Sequence, residues 1–470
     1  MVAAIAWVLA PRFYSSPVLP LLAVLPFDEE RAAVGDDLAA RLTEEIRSGL
    51  ARVPGLGVIG RASSEALKKS GHAIALARSN QIGAVLEGRL RRQGDKVRLS
   101  LELSNTASGR MLWTESLESP VADPFALQID VVERVPAALG IPLTETQRLR
   151  LVTRPTSSLE AYRAYLEGRH AHWVRADFKT AVEQLRMAVE LDPGFAPAWA
   201  ELANAYGGFA EAPNESAKEF LQLAKAAGQK SLELAPNLAE VQVASASIKE
   251  SEYDWPGAEA AYRRALEIDP NHIRAHHWYG FFLQRLARSA EARPHRERAL
   301  ELDPFSPGNI AHLGNQLLSE GRLAEALEKY RESDKQVPHW SVPFSIGEVS
   351  RALGRDAEAL DAYEEHYRLL GEPRATLDEL RAAHATGGWP AYWRTRLKQI
   401  ERPTSPYVQW HFRGHLHALA GNADEVFACM ARSIEDHEFG AMNLRADDAY
   451  KPYRSDPRFK ELLRRMNLEP

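Results

Sequence analysis

The feature that most constrains this chain is a proline that returns at a fixed interval behind apolar helical stretches. Pro270, Pro304 and Pro338 recur every 34 residues, and Pro193 and Pro236 end similar stretches upstream. A period of roughly 20 to 50 residues marks stacked supersecondary units, each too small to bury its own apolar face. The register inside each unit repeats as well. With the three prolines counted as position 32, position 20 is Ala258, Ala292 and Ala326. Position 27 is Ala265, Ala299 and Ser333, and position 8 is Ala246, Gly280 and Gly314. Small side chains at these places predict two helices per unit that cross closely.

Trp199, Leu202, Ala203 and Tyr206 spell W-x2-L-G-x2-Y with Ala in place of Gly, so the repeat resembles the tetratricopeptide family. The resemblance predicts an all-α solenoid over residues 158–470, of about seven units with a C-terminal capping helix. The 43-residue interval from Pro193 to Pro236 predicts an insertion of nine, placed around Pro213-Asn214-Glu215-Ser216. A sixth unit runs from Trp340 with Gly347, Gly354, Ala359 and Tyr363. A degenerate one starts at Tyr407 with Gly414 and Gly421, and residues 377–400 between them are helical but off register.

Residues 19–145 follow another pattern. Residues 21–27 predict a short buried strand, and residues 36–51 a helix with Leu38, Leu42, Ile46 and Leu50 on one stripe. A second short strand falls at 57–59, with short helices at 63–69 and 74–80. In residues 97–104, Val97, Leu99, Leu101 and Leu103 alternate with Arg98, Ser100, Glu102 and Ser104, the period of a strand with one face buried. Gly94-Asp95 turns the chain so that residues 84–92 pair with it, and Ser108-Gly109 leads into a third strand at 111–117. Asp123 is placed to cap a closing helix through Phe125, Ile129 and Val132, with Pro136 kinking or ending it early. The expected fold is an α/β domain, a three-strand meander plus two further strands with helices on one face, followed by the all-α solenoid.

A chain of 470 residues exceeds the ~250 to 300 that one core supports, so at least two folding units are needed. The net charge of −6 gives no basic excess for a phosphate backbone, and no nucleic acid is expected on this chain. Cys429 is the single cysteine, which excludes an internal disulfide or a CxxC site. Its place in a helix beside Met430 reads as a packed thiol. Lys68-Lys69-Ser70 lacks the glycine of a phosphate loop, and neither HExxH nor GxSxG occurs, so no catalytic residue is assigned. His272, His276, His277, His295 and His312 cluster in sequence. Adjacent His276 and His277 project about 100° apart on a helix, which reads as packed or solvated rings, with no metal and no cofactor. Residues 2–10 are apolar but span about half of a bilayer, either as a frayed tail or as the remnant of a membrane helix within residues 1–18.

Several blocks share a further likeness. Ala23-Val24-Leu25-Pro26-Phe27, Leu42-Thr43-Glu44-Glu45-Ile46, Arg52-Val53-Pro54-Gly55-Leu56, Ala84-Val85-Leu86-Glu87-Gly88 and Gly109-Arg110-Met111-Leu112-Trp113 resemble the TolB-amino-terminal-like domain found before tetratricopeptide arrays in bacterial signalling proteins. Gly388-Trp389-Pro390-Ala391-Tyr392-Trp393 and residues 455–463 resemble their closing segments. In such proteins the pair lies beyond a membrane helix, behind a winged-helix DNA-binding domain, a class III adenylate cyclase or a kinase. The resemblance implies a non-catalytic sensor or scaffold, membrane-associated with its domains in the periplasm, or else a cytoplasmic scaffold. By the resemblance to tetratricopeptide arrays, positions 2, 5, 9 and 12 of each first helix line a groove for a protein or peptide. Those residues are Asn204, Glu250, His277, Phe281, Gln284, Asn315, Phe344, Glu348, Arg351, His411 and His415. Two other readings stand beside it: a regulatory fragment of a membrane adenylate cyclase-like or winged-helix DNA-binding protein, and a small-ligand-binding α/β domain.

Overall fold

The computed structural model describes residues 20–30, 38–121, 123–173, 177–211, 217–336, 340–402 and 408–468. The apolar run at 2–10, the Pro213 to Ser216 loop, Pro338 and Tyr407 lie outside them. The N-terminal part is a six-stranded sheet in the order β3-β1-β4-β5-β6, with β2 also pairing β4. The strands are β1 (Leu21–Val24), β2 (Asp28–Glu30), β3 (Gly57–Val58), β4 (Ala84–Gln93), β5 (Lys96–Asn105) and β6 (Met111–Pro120). β1 runs parallel to β3 and β4, and β4, β5 and β6 form the expected antiparallel meander.

Helices α1 (Leu38–Ala51) and α4 (Pro124–Ala138) cover one face, where Leu42, Ile46, Val131 and Val135 meet Leu22, Val24, Leu99 and Leu101. The expectation of helices on one face and five strands needs correcting. Helices α2 (Arg61–Lys69) and α3 (Ala73–Ser79) pack Leu67 and Ala77 onto Leu21, Ala23, Leu25 and Val85 on the other face. The cause is visible in residues 21–25, an unbroken apolar run, which is the pattern of a strand buried on both sides. α4 continues two residues past Pro136, since a proline in the last turn disturbs few following hydrogen bonds. A further helix, α5 (Glu145–Val152), starts at a capping box made by Thr144 and Gln147.

Among the described residues seven helix pairs follow, interrupted once. They are α6 (Leu159–Trp173) with α7 (Phe178–Leu191), α8 (Ala196–Glu211) with α9 (Ala217–Leu234), and α10 (Ala239–Ser251) with α11 (Trp255–Ile268). Next come α12 (Ile273–Arg285) with α13 (Ser289–Leu302), α14 (Pro307–Ser319) with α15 (Leu323–Gln336), and α16 (Ser341–Ala352) with α17 (Asp356–Leu369). The long α18 (Arg374–Ile400) precedes the last pair, α19 (Trp410–Ala420) with α20 (Ala423–Glu435), and α21 (Pro457–Arg465) closes the chain. The small residues act as the sequence predicts. A Cβ on Gly314 would lie 2.8 Å from the Tyr330 ring and one on Gly347 2.7 Å from the Tyr363 ring. Ala258, Ala292 and Ala326 are fully buried at the same crossings. α18 breaks at Gly387 and Gly388, the latter with φ of 62°, and turns Trp393 and Tyr392 into the core against Tyr363.

The array closes on itself. Tyr253 and Trp255, from the α10–α11 turn and the start of α11, donate hydrogen bonds to the Ile434 and Met466 carbonyls. One apolar core joins Tyr262, Phe282 and Leu283 to Met430, Met442, Phe459 and Leu463. No helix among the described residues is long and apolar enough to cross a membrane.

Candidate functional site: the first-helix face of the array

The residues expected in the groove stand on α8, α10, α12, α14, α16 and α19, each the first helix of its pair. They gather in two groups. On α12, the ring of His277 stacks on His312 of α14 at 4.3 Å, and Phe281 stacks on the other side of the same neighbourhood, 4.9 Å from His312. The Arg285 guanidinium lies between two rings, 4.2 Å from Phe281 and 4.1 Å from Phe439. Arg285 also pairs with Glu250 and donates to the Asn443 side chain at 3.1 Å. Glu250 is 3% exposed, and burial raises its pKa against the pull of Arg285 and Tyr262. Gln284 accepts from Arg296.

The second group lies around α16 and α19. Phe344 sits among Tyr363, His366, Phe412 and His415, with centroids 5.0 to 5.9 Å away. Glu348 accepts from Tyr363 and, at 2.9 Å, from Arg351. His415 Nδ1 lies 3.0 Å from the Asp447 carboxylate. His411 meets Glu438 at 3.4 Å, and the Glu438 carboxylate accepts the Trp410 and His411 backbone N–H groups, both at 2.8 Å. Glu438 therefore caps α19 from outside the helix. Arg351 Nε and His415 Nε2 are buried atoms without a hydrogen-bond partner. Asn315 accepts from Tyr330 at 2.6 Å, and Asn204 is half-buried on α8, apart from both groups.

Sequence reasoning missed what covers the start of this face. Gly168 packs against Leu185 as Gly314 does against Tyr330, which extends the register to the first pair. Positions 2, 5, 9 and 12 there are Tyr162, Tyr165, Arg169 and His172. They face the sheet part and α8. Arg169 pairs with Glu45 of α1 at 2.5 Å, the Tyr162 hydroxyl is 2.9 Å from both Glu45 and Gln128, and Arg41 pairs with Glu167 at 2.8 Å. Glu201 of α8 joins the network through Arg169 at 3.8 Å and also pairs with Arg274 at 3.0 Å. Burial would raise its pKa, but Arg274, His172 and Arg169 hold it well below the usual carboxylate range.

The sheet part also touches the fourth pair. Gly60 N–H donates to the Leu302 carbonyl at 2.8 Å, and Asn271 reaches the Leu56 carbonyl. Ser63 donates its backbone N–H to Asp303 at 2.9 Å. Gly60, the residue before α2, has no side chain to cap it, so the Asp303 carboxylate serves as the cap from the array. Among the described residues no group of three His, Cys, Asp or Glu gathers at metal-binding distance. Beside Leu377 and Arg381, and beside Arg154 and Tyr162, the surface has only shallow depressions with next to no enclosed space.

Residues 261–293 match a family model described as tetratricopeptide repeat. A 195-residue stretch is 33% identical to Putative adenylate cyclase 3 of Rhizobium meliloti (strain 1021), covering 40% of this chain and 32% of that protein. The chain thus spans about a third of the length of that curated relative. A thermophilic tetratricopeptide repeat protein of Thermus thermophilus is 17% identical, covering 40% of this chain and 98% of its own, with a TM-score of 0.35. A tetratricopeptide repeat protein from Parabacteroides merdae ATCC 43184 is 13% identical, covering 66% and 100%, with a TM-score of 0.34.

Proposed function

We propose that this chain, a tetratricopeptide-type interaction module, is a non-catalytic sensor or scaffold of a bacterial signalling protein that binds a protein or peptide along α14, α16 and α19. The observation that carries this is the place of the unused groups. Arg351 Nε and His415 Nε2 lack partners beside Phe344, whereas the α12 group is engaged with Phe439 and Asn443, and the α6 group with α1. An extended peptide that parts α16 from α19 supplies carbonyl oxygens to both buried nitrogens and an apolar side chain to Phe344, with Asn315 and Glu348 flanking it. Glu250, His277, Phe281, Gln284 and His411 then shape the ends of the groove, and Asn204 stands beyond it. The test is a peptide-library selection on the full chain, followed by affinities of Phe344→Ala and Arg351→Ala. Loss of about tenfold or more in each, with unchanged melting, supports the reading; unchanged affinity in both overturns it.

A second reading is a regulatory fragment of a membrane adenylate cyclase-like or winged-helix DNA-binding protein, with the sheet part as a TolB-amino-terminal-like domain in the periplasm. It is favoured by the stretch shared with a protein named as a putative adenylate cyclase. Fusions of the chain, with and without its upstream genomic sequence, to a reporter active only outside the cytoplasm test it. Export of the extended fusion alone supports this reading, and export of neither supports a cytoplasmic scaffold. A small-ligand site at the strand ends is disfavoured by β1, whose two faces are both packed.

A further inference from the structure

Two of the histidine contacts that hold α12, those of His272 and His276, use a bare ring nitrogen that a proton would occupy. His272 stands at its N-cap and accepts the Ala275 backbone N–H through Nδ1 at 3.1 Å. A proton on Nδ1 removes that lone pair. His276 Nε2 is 3.0 Å from the Pro270 carbonyl, which can only accept, so Nε2 carries the hydrogen and Nδ1 is bare in the neutral ring. That bare Nδ1 accepts from His295 Nδ1 at 3.0 Å. A second proton on His276 goes to Nδ1, where it meets the His295 N–H head to head unless the His295 ring changes tautomer. On the opposite side, the Asn309 amide nitrogen points at the Ala299 and Asp303 carbonyls, so its oxygen faces the ring of His277 and accepts from Nδ1 at 2.7 Å. That ring is stacked on His312 at 4.3 Å, where charge on both would repel.

The charged neighbours oppose protonation more than they favour it. Arg285 and Arg296 act on His312, Arg296 on His277, Arg298 on His276, and Arg274 on His272. The anions are Glu201 of α8 near His272 and Glu291 of α13 near His295. From α11, Glu259 and Arg263 both meet the Tyr279 hydroxyl, whose ring lies 4.5 Å from His295. The segment Phe439–Asn443 presents no charge to this side of α12.

We infer that α12 is an acid-released latch: on acidification these rings take up protons, α12 parts from α13, α14 and the segment Phe439–Asn443, and the first-helix face of the fourth and fifth pairs opens. The latch rests on the groove reading only for what the opening exposes. Burial depresses every one of these rings, His272 to about 3 and His276 to about 4, with His277, His295 and His312 also lowered. A depressed histidine contributes stability that is present above the unfolded value of 6.5 and is lost as pH falls through the folded value. The loss therefore accumulates below pH 6.5.

Hydrogen–deuterium exchange of the full chain at pH about 7.5 and about 5, corrected for intrinsic rates, reads the latch directly. Residues 272–285, 289–312 and 439–443 should exchange about tenfold faster in acid, while the 84–105 hairpin holds. The double variant His272→Asn with His312→Phe keeps a capping side chain and a stacked ring, and should cut the acid response to under about threefold. No acid response in the natural chain, or an equal one in the variant, overturns the inference. Should the variant fail to fold, ring carbon NMR on the natural chain decides. His272 and His276 midpoints below about 5, coincident with loss of α12 protection, support the latch, and ordinary midpoints with α12 still protected overturn it. Peptide affinity of Phe344→Ala and Arg351→Ala is a separate readout, so failure of the groove and failure of the latch are told apart.

Discussion

The histidines around α12 and His415 of α19 serve the same closure with opposite pKa shifts. At α12 neutral rings are favoured, because His272 Nδ1 and His276 Nδ1 accept hydrogen bonds and cations outnumber anions among the neighbours. At α19 the carboxylates set the terms: burial alone would lower the pKa of His415, but Asp447 reverses this and raises it. A raised histidine contributes stability that is present below 6.5 and is lost as pH rises through the folded value. Burial likewise opposes ionisation of Asp447, and His415 overcomes it, so this carboxyl is lowered. Acid therefore works first against α12, and alkali against the His415 contact. One closed array carries two joints that fail at opposite ends of the pH scale.

The strongest way to break this comparison is Arg285→Ala, because Arg285 joins the two joints through Glu250, Asn443 and the Phe439 ring. It leaves a carboxylate that is 3% exposed without its partner, which should cost about 3 to 5 kcal/mol in chemical denaturation. Glu438→Gln acts at the second joint alone. The amide keeps the shape but weakens the cap on the Trp410 and His411 N–H groups, for an expected loss of about 1.5 to 3 kcal/mol at neutral pH. Burial raises the pKa of Glu438, but His411 and these N–H groups hold it lower, so the stability it gives is present above 4.5 and fades as pH falls below that. Asp447→Asn sharpens the comparison with the smallest effect. It should cost roughly 1 kcal/mol near pH 6 and less as pH rises, with the acid response of α12 unchanged. A loss independent of pH would remove the charged pair as the cause.

How far the molecule is legible in its sequence follows the range of its contacts. The array is legible because its rule is local: a glycine or alanine at position 8 meets a large side chain one helix later in the same pair, and the spacing repeats. The meander is legible for a similar reason, since Gly94-Asp95 sets the pairing of Gln93 with Lys96 and every pair beyond it. The second helical layer is legible in the unbroken apolar run from Leu21 to Leu25, which needs cover on both faces. Thr144 and Gln147 announced α5 in the same way. The junctions left no local trace. Arg169 and Glu45 are 124 residues apart, Tyr253 and Ile434 181, and Ser63 and Asp303 240. No period or motif links such residues, and the candidate groove could be placed on its helices but not divided into open and occupied stretches.

The cap that Asp303 places on α2 also sets a timetable. Synthesis adds roughly 5 to 20 residues per second, so Asp303 leaves the ribosome roughly 12 to 48 seconds after Ser63, which it serves. From the completion of β6 until then, the sheet has all its strands but lacks the carboxylate at α2 and the Leu302 side chain that completes its second apolar layer. The nascent chain must therefore carry an unfinished face through the translation of four helix pairs, a window in which a holding chaperone has something to hold.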